Sequence, residues 1–332
     1  MSRVLVTGGA GYIGSHILRQ LVDEDHAPVV VDDLSNGHRE ALGSVPLVEG
    51  DFGDPDLLDE LLGDGETEFV IHMAAFCEVG ASMRDPAAYY RNNLTRSLAL
   101  LDAAGRHGVQ GVVFSSSAAV YGEPEQLPMD EDHPRNPTNP YGETKLAFER
   151  ALGWYQQAYG LKYVALRYFN AAGAHPDCSI GEDHSPESHL IPRLLLNALT
   201  GGETVPIFGD DYPTRDGTCV RDYVHVMDLA QAHVKALTAM QSGRVACDSF
   251  NLGNGEGFSV LEVIEAVGAV SGNRPATERA PRRPGDPASL VAASRRAKER
   301  LEWEPEYADL HEIVRTAWEW HRNHPGGYAG GR

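Results

Sequence analysis

Basic side chains, and lysine above all, are scarce in this chain of 332 residues. It has 28 Lys and Arg against 48 Asp and Glu, so the formal net charge is −20, and only four residues are lysines. A surface this acidic repels the phosphates of nucleic acids and of anionic lipid head groups. The composition therefore argues against a nucleic-acid-binding or membrane-binding protein, while a local basic pocket for a small anion stays open.

Cysteine is also sparse, and long apolar runs are missing. The four cysteines lie far apart, with no C-x-x-C pair and no histidine at zinc-ligand spacing, which predicts free thiols and no metal site. No apolar run reaches the ~18 residues that a membrane-spanning helix needs. The chain begins with a strand-like Val4–Val6 segment in place of a signal peptide. We therefore expect a cytoplasmic protein.

Short β-branched runs alternate with amphipathic stretches in the first half of the chain, which is typical of an α/β protein with a doubly wound parallel sheet. We predict a Rossmann-like domain over residues 1–170, to which segments near 222–255 could return, and a smaller mixed α/β domain for the substrate over 171–332. The proline-rich stretch Glu123–Pro140 predicts a surface loop, and the tail after Trp320 is expected to fray. The predicted strands are Val4–Val6, Val29–Val31, Leu47–Val48, Phe69–His72, Val112–Phe114 and Tyr163–Leu166, and the predicted helices are Tyr12–Val22, Asp56–Leu62, Ala87–Gly105 and Tyr141–Tyr159.

A glycine-rich turn follows the first predicted strand. Gly8, Gly11 and Gly14 have the spacing G-x-x-G-x-x-G, which allows a sharp turn and brings backbone N–H groups close to a pyrophosphate. The second predicted strand ends in Asp32, whose carboxylate can accept hydrogen bonds from an adenosine ribose and repels a 2′-phosphate. NAD is therefore favoured over NADP as the cofactor.

Alternatives stay open around this turn. The glycines could serve only a tight strand-to-helix connection, and the basic His38 and Arg39 could compensate the charge of a 2′-phosphate. Asp51, after the third predicted strand, is a candidate adenine contact or an ordinary helix cap.

Three further residues form a candidate catalytic set: Ser117, Tyr141 and Lys145. Tyr141 and Lys145 are four residues apart on a predicted helix and therefore share a face. An ammonium beside a phenol favours the phenolate, which makes tyrosine a usable base near neutral pH. Ser117, at the carboxyl end of the fifth predicted strand, could share the proton of a substrate hydroxyl. By itself a Tyr-x-x-x-Lys pair is common on helix surfaces, and only the combination with the glycine turn makes it informative.

Five segments carry a family resemblance: TGGAGYIG, SSSAAVYG, PYGETK, RYFNAAGAHP and GTCVRDYVHVMDLAQAHV. They resemble the extended short-chain dehydrogenase/reductase family and, within it, the 4-epimerases of UDP-hexoses. The resemblance covers nearly the whole chain. The first and third segments specify only the broad family, whereas the last two are more specific to the epimerases.

The resemblance implies an NAD-dependent isomerase of galactose metabolism that inverts C4 of a UDP-hexose through a transient 4-keto sugar, with Tyr141 as the base. It also implies a homodimer, with the helices near Ala87–Gly105 and Tyr141–Tyr159 as candidate interface. The implied cofactor contacts are Gly8, Gly11, Tyr12, Ile13, Gly14, Asp32, Asn36, Asp51, Phe52, Asn92, Tyr141, Lys145 and Tyr168. The implied substrate contacts are Ser117, Asn170, Leu190, Phe208, Arg221, Arg283, Asp286 and Leu290.

Two positions refine this expectation. Where the epimerases commonly have lysine in an H-x-A-x-x-K pattern, this chain has Cys77, so a charged contact to the cofactor is missing and NAD should be held less tightly. Leu290 falls where the family lines the space beside the sugar C2 substituent, and its bulk predicts a preference for sugars without an N-acetyl group. The less favoured alternative is that Leu290 begins a strand and only packs into the core.

Three other functions share parts of this pattern. A 4-epimerase of UDP-N-acetylhexosamines or of UDP-pentoses would share these residues. A sugar-nucleotide dehydratase would need an acid and a base after the catalytic hydroxyl, where this chain has Ala118 and Ala119. A non-catalytic, nucleotide-sensing relative would keep the fold but usually lose members of the catalytic set.

Overall fold

The computed structural model describes residues 1–283 and 285–328. Its strands are β1 (Arg3–Thr7), β2 (Ala27–Asp32), β3 (Leu47–Glu49), β4 (Thr67–His72), β5 (Gly111–Ser117), β6 (Lys162–Tyr168), β7 (Asn170–Ala172), β8 (Val205–Phe208), β9 (Val220–Arg221), β10 (Tyr223–His225), β11 (Cys247–Leu252), β12 (Phe258–Ser259), β13 (Thr277–Ala280) and β14 (Ser289–Leu290). Its α-helices are α1 (Tyr12–Asp23), α2 (Pro55–Leu62), α3 (Val79–Arg84), α4 (Pro86–Tyr89), α5 (Ser97–Arg106), α6 (Pro140–Tyr159), α7 (Leu190–Thr200), α8 (Val226–Gln241), α9 (Val260–Ser271), α10 (Arg295–Leu301) and α11 (Leu310–Asn323).

The central sheet has seven parallel strands in the order β11-β6-β5-β4-β1-β2-β3. All six predicted strands are present, each within two residues of its predicted ends except β5, which runs three residues further, to Ser117. The strand order reverses between β1 and β4: β2 and β3 extend the sheet on one side of β1, and β4 and the later strands extend it on the other. The carboxyl ends of β1 and β4 therefore border a crevice, which is where α/β sheets bind ligands. The predicted α/β class with a Rossmann-like sheet is confirmed.

Helices cover both faces of this sheet. On one face α1 packs against α8, with apolar side chains such as Ile17, Leu21 and Leu237 fully buried. On the other face α2, α5 and α6 bury a second cluster that includes Leu58, Leu101 and Phe148. Because the central strands are covered on both sides, runs such as Val4–Val6, Phe69–Ile71 and Val112–Phe114 are apolar without alternation.

A second layer forms from later parts of the chain. Helices α7, α9 and α11 pack together over a separate apolar cluster, beside three small sheets made of β10-β7, β12-β9-β14 and β13-β8. Within the stretch near 222–255, which was expected to return to the first domain, α8 packs on the central sheet and β11 pairs with β6, whereas the following helix α9 packs with α7 and α11.

Three local features differ from the predicted elements or add to them. The predicted helix Ala87–Gly105 is two α-helices joined by a π-helical turn over Tyr90–Arg96. The predicted loop after Glu123 is confirmed and is tied down at Met129, whose N–H donates to the carbonyl of Val291 at 2.8 Å. Among the described residues no helix has the length and apolarity to cross a membrane, and the four cysteines are free thiols.

The expectation that the tail frays after Trp320 is wrong for the part that the structure describes. Helix α11 continues to Asn323, and Tyr328 is buried against Trp320. The Tyr328 N–H donates to Asp183 Oδ2 at 3.0 Å, and its hydroxyl accepts from the Gly181 N–H at 3.1 Å. These partners lie far away in sequence, so no local pattern announces them. Residues 329–332 of the predicted tail lie outside the described residues.

Candidate active site

The glycine turn connects β1 to α1 at the crevice. Gly8 has φ +71°, and a Cβ there would lie 2.6 Å from the backbone nitrogen of Ala74, so only glycine fits. A Cβ on Gly14 would lie 2.3 Å from the Gly8 carbonyl oxygen. Gly11 caps α1 without a side-chain hydrogen bond. The first-turn N–H groups, those of Tyr12 and Ile13 among them, are therefore left for an anion, which the helix dipole also favours.

Asp32 stands at the end of β2 beside this turn. One carboxylate oxygen accepts from the Ala10 N–H and the other from the Leu34 N–H, both at 2.9 Å. Burial raises the pKa of this carboxyl above its ordinary value, while the two backbone hydrogen bonds act against that rise. Asn36 lies exposed in the loop that follows. The carboxylate is thus held rigidly where the strand ends, with lone pairs left for hydroxyl donors.

The next strand end supplies a different arrangement. Asp51 follows β3, accepts from the Gly53 N–H at 2.8 Å and pairs with Arg96 at 2.9 Å. Arg96 also donates to Asn92 Oδ1 at 2.8 Å. The π-helical turn therefore connects the candidate residues Asp51 and Asn92 through one arginine, which sequence analysis missed. Phe52 is largely buried, with its ring 5.2 Å from that of His72.

Ser117 and Tyr141 meet where β5 ends and α6 begins. Helix α6 is capped by Asn139, whose Oδ1 accepts from the Gly142 N–H at 2.9 Å. Gly142 lies so close to the turn after Ser117 that a Cβ there would be 2.4 Å from the Ala119 carbonyl oxygen. This contact sets the helix start, and with it the Tyr141 ring, directly against the strand end.

Burial dominates the electrostatics of this pair. It raises the pKa of Tyr141 well above the ordinary value, and hydrogen bonding to Ser117 lowers it only in part. The Lys145 Nζ lies 5.9 Å from the centroid of the Tyr141 ring and donates to the Ser115 carbonyl at 2.7 Å. Burial lowers the pKa of Lys145 to about 8. The sequence predicts a lysine beside the phenol and the structure places it there, but the ring sits in a drier environment than spacing alone suggests.

Tyr168 and Lys145 both hydrogen-bond to Ser115. The Tyr168 hydroxyl hydrogen-bonds to Ser115 Oγ, and burial raises the pKa of the phenol. Two residues later, the Asn170 N–H donates to the Asp222 carbonyl at 3.0 Å, which leads the chain from the central sheet toward the second layer.

The candidate substrate residues converge from distant parts of the chain. Arg221 forms an ion pair with Asp286, and the Nη2 of Arg283 pairs with the same carboxylate at 3.0 Å. The Arg283 guanidinium lies 4.8 Å from the centroid of the Phe208 ring, at the end of β8. Two guanidinium groups against one carboxylate leave a net positive charge, which suits a diphosphate.

Leu290 links this arginine cluster to the catalytic helix. It pairs in register with Arg221 in the β14–β9 ladder, and it packs, partly buried, on a cluster that includes Tyr121 and Leu146. Leu190 is separate from these contacts: it is the first residue of α7 and packs against the apolar cluster of the second layer.

A buried ion pair under the catalytic set also escaped sequence analysis. Arg167 Nε donates to Glu149 Oε1 at 2.9 Å and its Nη2 to Oε2 at 2.6 Å, while Ser116 Oγ donates to the same carboxylate at 2.5 Å. Glu149 lies one helical turn after Lys145, on the same face. Two features of the sequence could have pointed to this ion pair: Arg167 follows the apolar run of β6, and Glu149 is spaced four residues from Lys145 on α6.

Known proteins match the chain nearly end to end. The model of the NAD dependent epimerase/dehydratase family matches residues 4–253. The UDP-glucose 4-epimerase of Halalkalibacterium halodurans is 54% identical over 330 residues, which cover 98% of this chain and 97% of that protein.

Two solved structures of UDP-glucose 4-epimerases are also similar over nearly their full length. The one from Brucella ovis in complex with NAD has a TM-score of 0.93 at 46% identity, covering 96% of this chain and 98% of that one. The one from Bifidobacterium longum in complex with NAD⁺ and UDP has a TM-score of 0.93 at 36% identity, covering 98% and 100%. On this evidence the chain belongs to the NAD dependent epimerase/dehydratase family.

Proposed function

We propose that the protein catalyses the NAD-dependent interconversion of UDP-galactose and UDP-glucose at C4. The observation that carries the proposal is the junction of β5 and α6, where Ser117, Tyr141 and Lys145 lie together. The relatives named UDP-glucose 4-epimerase support the choice of reaction.

The residues fit the cofactor. A glycine cradle that a Cβ would fill, an uncapped helix start and a rigid Asp32 carboxylate match a pyrophosphate and a ribose. The two basic groups that kept NADP open are already engaged, since Arg39 pairs with Glu49 at 2.5 Å and His38 with Asp183 at 3.4 Å. When bound, NAD⁺ supplies a reversible two-electron oxidation of the sugar carbon.

The protein's own groups move the proton and hold the sugar. Tyr141 takes the proton from the C4 hydroxyl and later returns it, with Ser117 bridging to the same oxygen. The Lys145 ammonium stabilises the phenolate, which burial would otherwise disfavour. Arg221 and Arg283 anchor the diphosphate, so that the sugar can turn without leaving the site.

The chain divides into a part that binds the cofactor and a part that binds the substrate. Residues 1–170 together with α8 and β11 form the NAD domain, and the rest forms the UDP-sugar domain. The protein acts in the cytoplasm.

The protein is a homodimer that pairs through the outer face of α6, where the side chains of Trp154 and Tyr159 are 68% and 71% exposed. Light scattering should find the wild type dimeric and the Trp154→Glu variant, which places a charge in the interface, monomeric. A monomeric wild type would contradict the dimer.

The experiment that tests the reaction uses UDP-galactose carrying deuterium at C4. The pure protein, without added reductant, should yield UDP-glucose that keeps the label at C4, because the hydrogen removed is returned to the same carbon. A 4-keto-6-deoxy product would show a dehydratase, and binding without turnover would show a nucleotide sensor. UDP-N-acetylgalactosamine and UDP-xylose, run in parallel, measure whether another UDP-sugar is preferred.

A further inference from the structure

Four side chains of one loop converge outside the site just described. Glu182, His184, Glu187 and His189 each offer one ligand atom, and these atoms lie within 4.8 Å of one another. The loop joins β7 to α7, and Leu190, the first residue of α7, follows His189 directly. All four ligands therefore come from a stretch of eight residues.

Hydrogen bonding accounts for one histidine of this cluster but not for the other. The Nδ1 of His189 lies 2.9 Å from an oxygen of each glutamate, as in an ordinary ion pair. The Nδ1 of His184 lies within ion-pair distance of both glutamates, 3.3 Å from Glu182 and 3.5 Å from Glu187, but this buried atom makes no well-oriented hydrogen bond in the part of the chain that the structure describes. A buried polar atom of this kind needs an explanation, and an ion is one.

The separations have a simple meaning for a metal. A tetrahedral zinc ion with bonds of ~2.0–2.1 Å holds neighbouring ligand atoms roughly 3.3 Å apart. The two His184 distances match this separation, the His189 distances would open by a few tenths of an ångström, and the remaining pairs of ligand atoms lie within 4.8 Å. Two imidazole nitrogens with two carboxylate oxygens favour a zinc-like ion over Mg²⁺ or Ca²⁺, which prefer oxygen ligands alone.

We propose that Glu182, His184, Glu187 and His189 bind one divalent transition-metal ion of the zinc class. Four protein ligands close the coordination sphere, so the ion is structural and leaves no position for a substrate. The prediction of no metal site considered the surroundings of the cysteines and overlooked this cluster, in which His184 and His189, with four residues between them, have the spacing of zinc-ligating histidines.

The surroundings of the loop show what such an ion stabilises. The Glu182 carbonyl accepts from Trp320 Nε1 at 3.1 Å, and Asp183 accepts from the Tyr328 N–H at 3.0 Å. The His184 ring lies 6.4 Å from that of Tyr12 in the glycine turn. The ion would therefore hold together the glycine turn, the C-terminal segment and the start of α7.

The test is metal binding by the full-length protein after dialysis against a chelator. Titration with Zn²⁺ should show about one equivalent bound tightly and a raised melting temperature. Co²⁺ in its place should give the strong visible absorption of a tetrahedral site. His184→Gln and His189→Gln should lose the tight equivalent, whereas His311→Gln, which changes an exposed histidine of α11, should keep it.

Two results would overturn the proposal. One is a wild type that binds no more Zn²⁺ than the two cluster variants, which would leave the cluster as a pair of histidine–glutamate ion pairs. The other is a Co²⁺ spectrum of weak, octahedral type. If the variants do not fold, the stoichiometry and the Co²⁺ spectrum of the wild type decide the matter. Neither measurement depends on epimerase activity, so a failure of the proposed reaction leaves this test intact.

Discussion

At the scale of single residues, the hydroxyl of Tyr141 is the group on which turnover should depend most. Tyr141→Phe removes one oxygen from a buried ring and should leave folding and UDP binding nearly unchanged. We expect kcat to fall by ~10²–10⁴, the usual contribution of a positioned proton-transfer group. Tyr159→Phe, on the exposed end of the same helix, is the control and should keep full activity. A fully active Tyr141→Phe variant would remove this residue from the mechanism.

Lys145 should set the acid limb of the pH–rate profile. Its ammonium favours the phenolate of Tyr141, so its loss raises the pKa of the phenol, and a higher pH is then needed to form the base. We expect the acid limb of kcat/KM to move to higher pH in Lys145→Ala. The exposed Lys298→Ala is the control and should leave the limb in place. An unmoved limb in Lys145→Ala would show that the two groups do not interact.

Leu290 should govern which sugars enter. Overfilling a packed site costs roughly 1–3 kcal/mol, or ~10–100-fold in specificity. We therefore expect kcat/KM to be higher for UDP-galactose than for UDP-N-acetylgalactosamine, and Leu290→Ser to narrow the difference. Its contact with the Tyr121–Leu146 cluster means that the serine variant also loses packing, so thermal melting must accompany the kinetics. Equal preference in the wild type, or no gain in the variant, contradicts the assignment.

At the scale of elements, the cap of α6 should influence both stability and catalysis. Asn139→Ala removes the hydrogen bond to Gly142 and should cost about 1 kcal/mol of unfolding free energy. It also loosens the first turn, which carries Tyr141, so kcat should fall. Asp309→Ala removes the equivalent cap of α11, whose carboxylate accepts from the Glu312 N–H at 3.0 Å. This control should lose similar stability with kcat unchanged; equal kcat in both variants would dismiss the positioning effect.

Elements also differ in how far sequence could predict them. The helix α6 was predictable to within one residue, because proline and asparagine mark its start and Gly160, in the left-handed conformation, ends it. The π-helical turn at Tyr90–Arg96 was not, because such turns are rare and occur as single turns inside α-helices, so a helical pattern alone predicts a continuous α-helix. That turn places Asn92 and Arg96 beside Asp51.

At the scale of the whole molecule, Cys77 should weaken the retention of NAD. Cys77 lies exposed after β4, at the position where the family resemblance leads us to expect a lysine. We expect partial NAD occupancy after purification, and activity and melting temperature that rise when NAD⁺ is added. Cys77→Lys should retain more NAD through gel filtration, whereas Cys247→Lys, an equally exposed change on β11, should not. Stoichiometric NAD that survives dialysis of the wild type would contradict this prediction.

The sequence alone determined the parts of this protein whose residues are close together along the chain. The glycine turn, the Asp32 strand end and the Tyr141–Lys145 pair all follow from local geometry: a turn needs glycine, a parallel strand presents its carboxyl end, and residues four apart share a helical face. The positions of strands β1 to β6 along the chain follow in the same way, because buried parallel strands are largely apolar runs, but their order in the sheet does not.

Only the tertiary structure decided the contacts between distant segments. Arg221 meets Asp286 across 65 residues, and Tyr328 docks on the loop at Gly181 and Asp183. The tertiary structure also brings together the ligand atoms of four side chains in the loop from Glu182 to His189. Such contacts form because packed layers bring surfaces together in three dimensions, and neither composition nor periodicity records which surfaces those are.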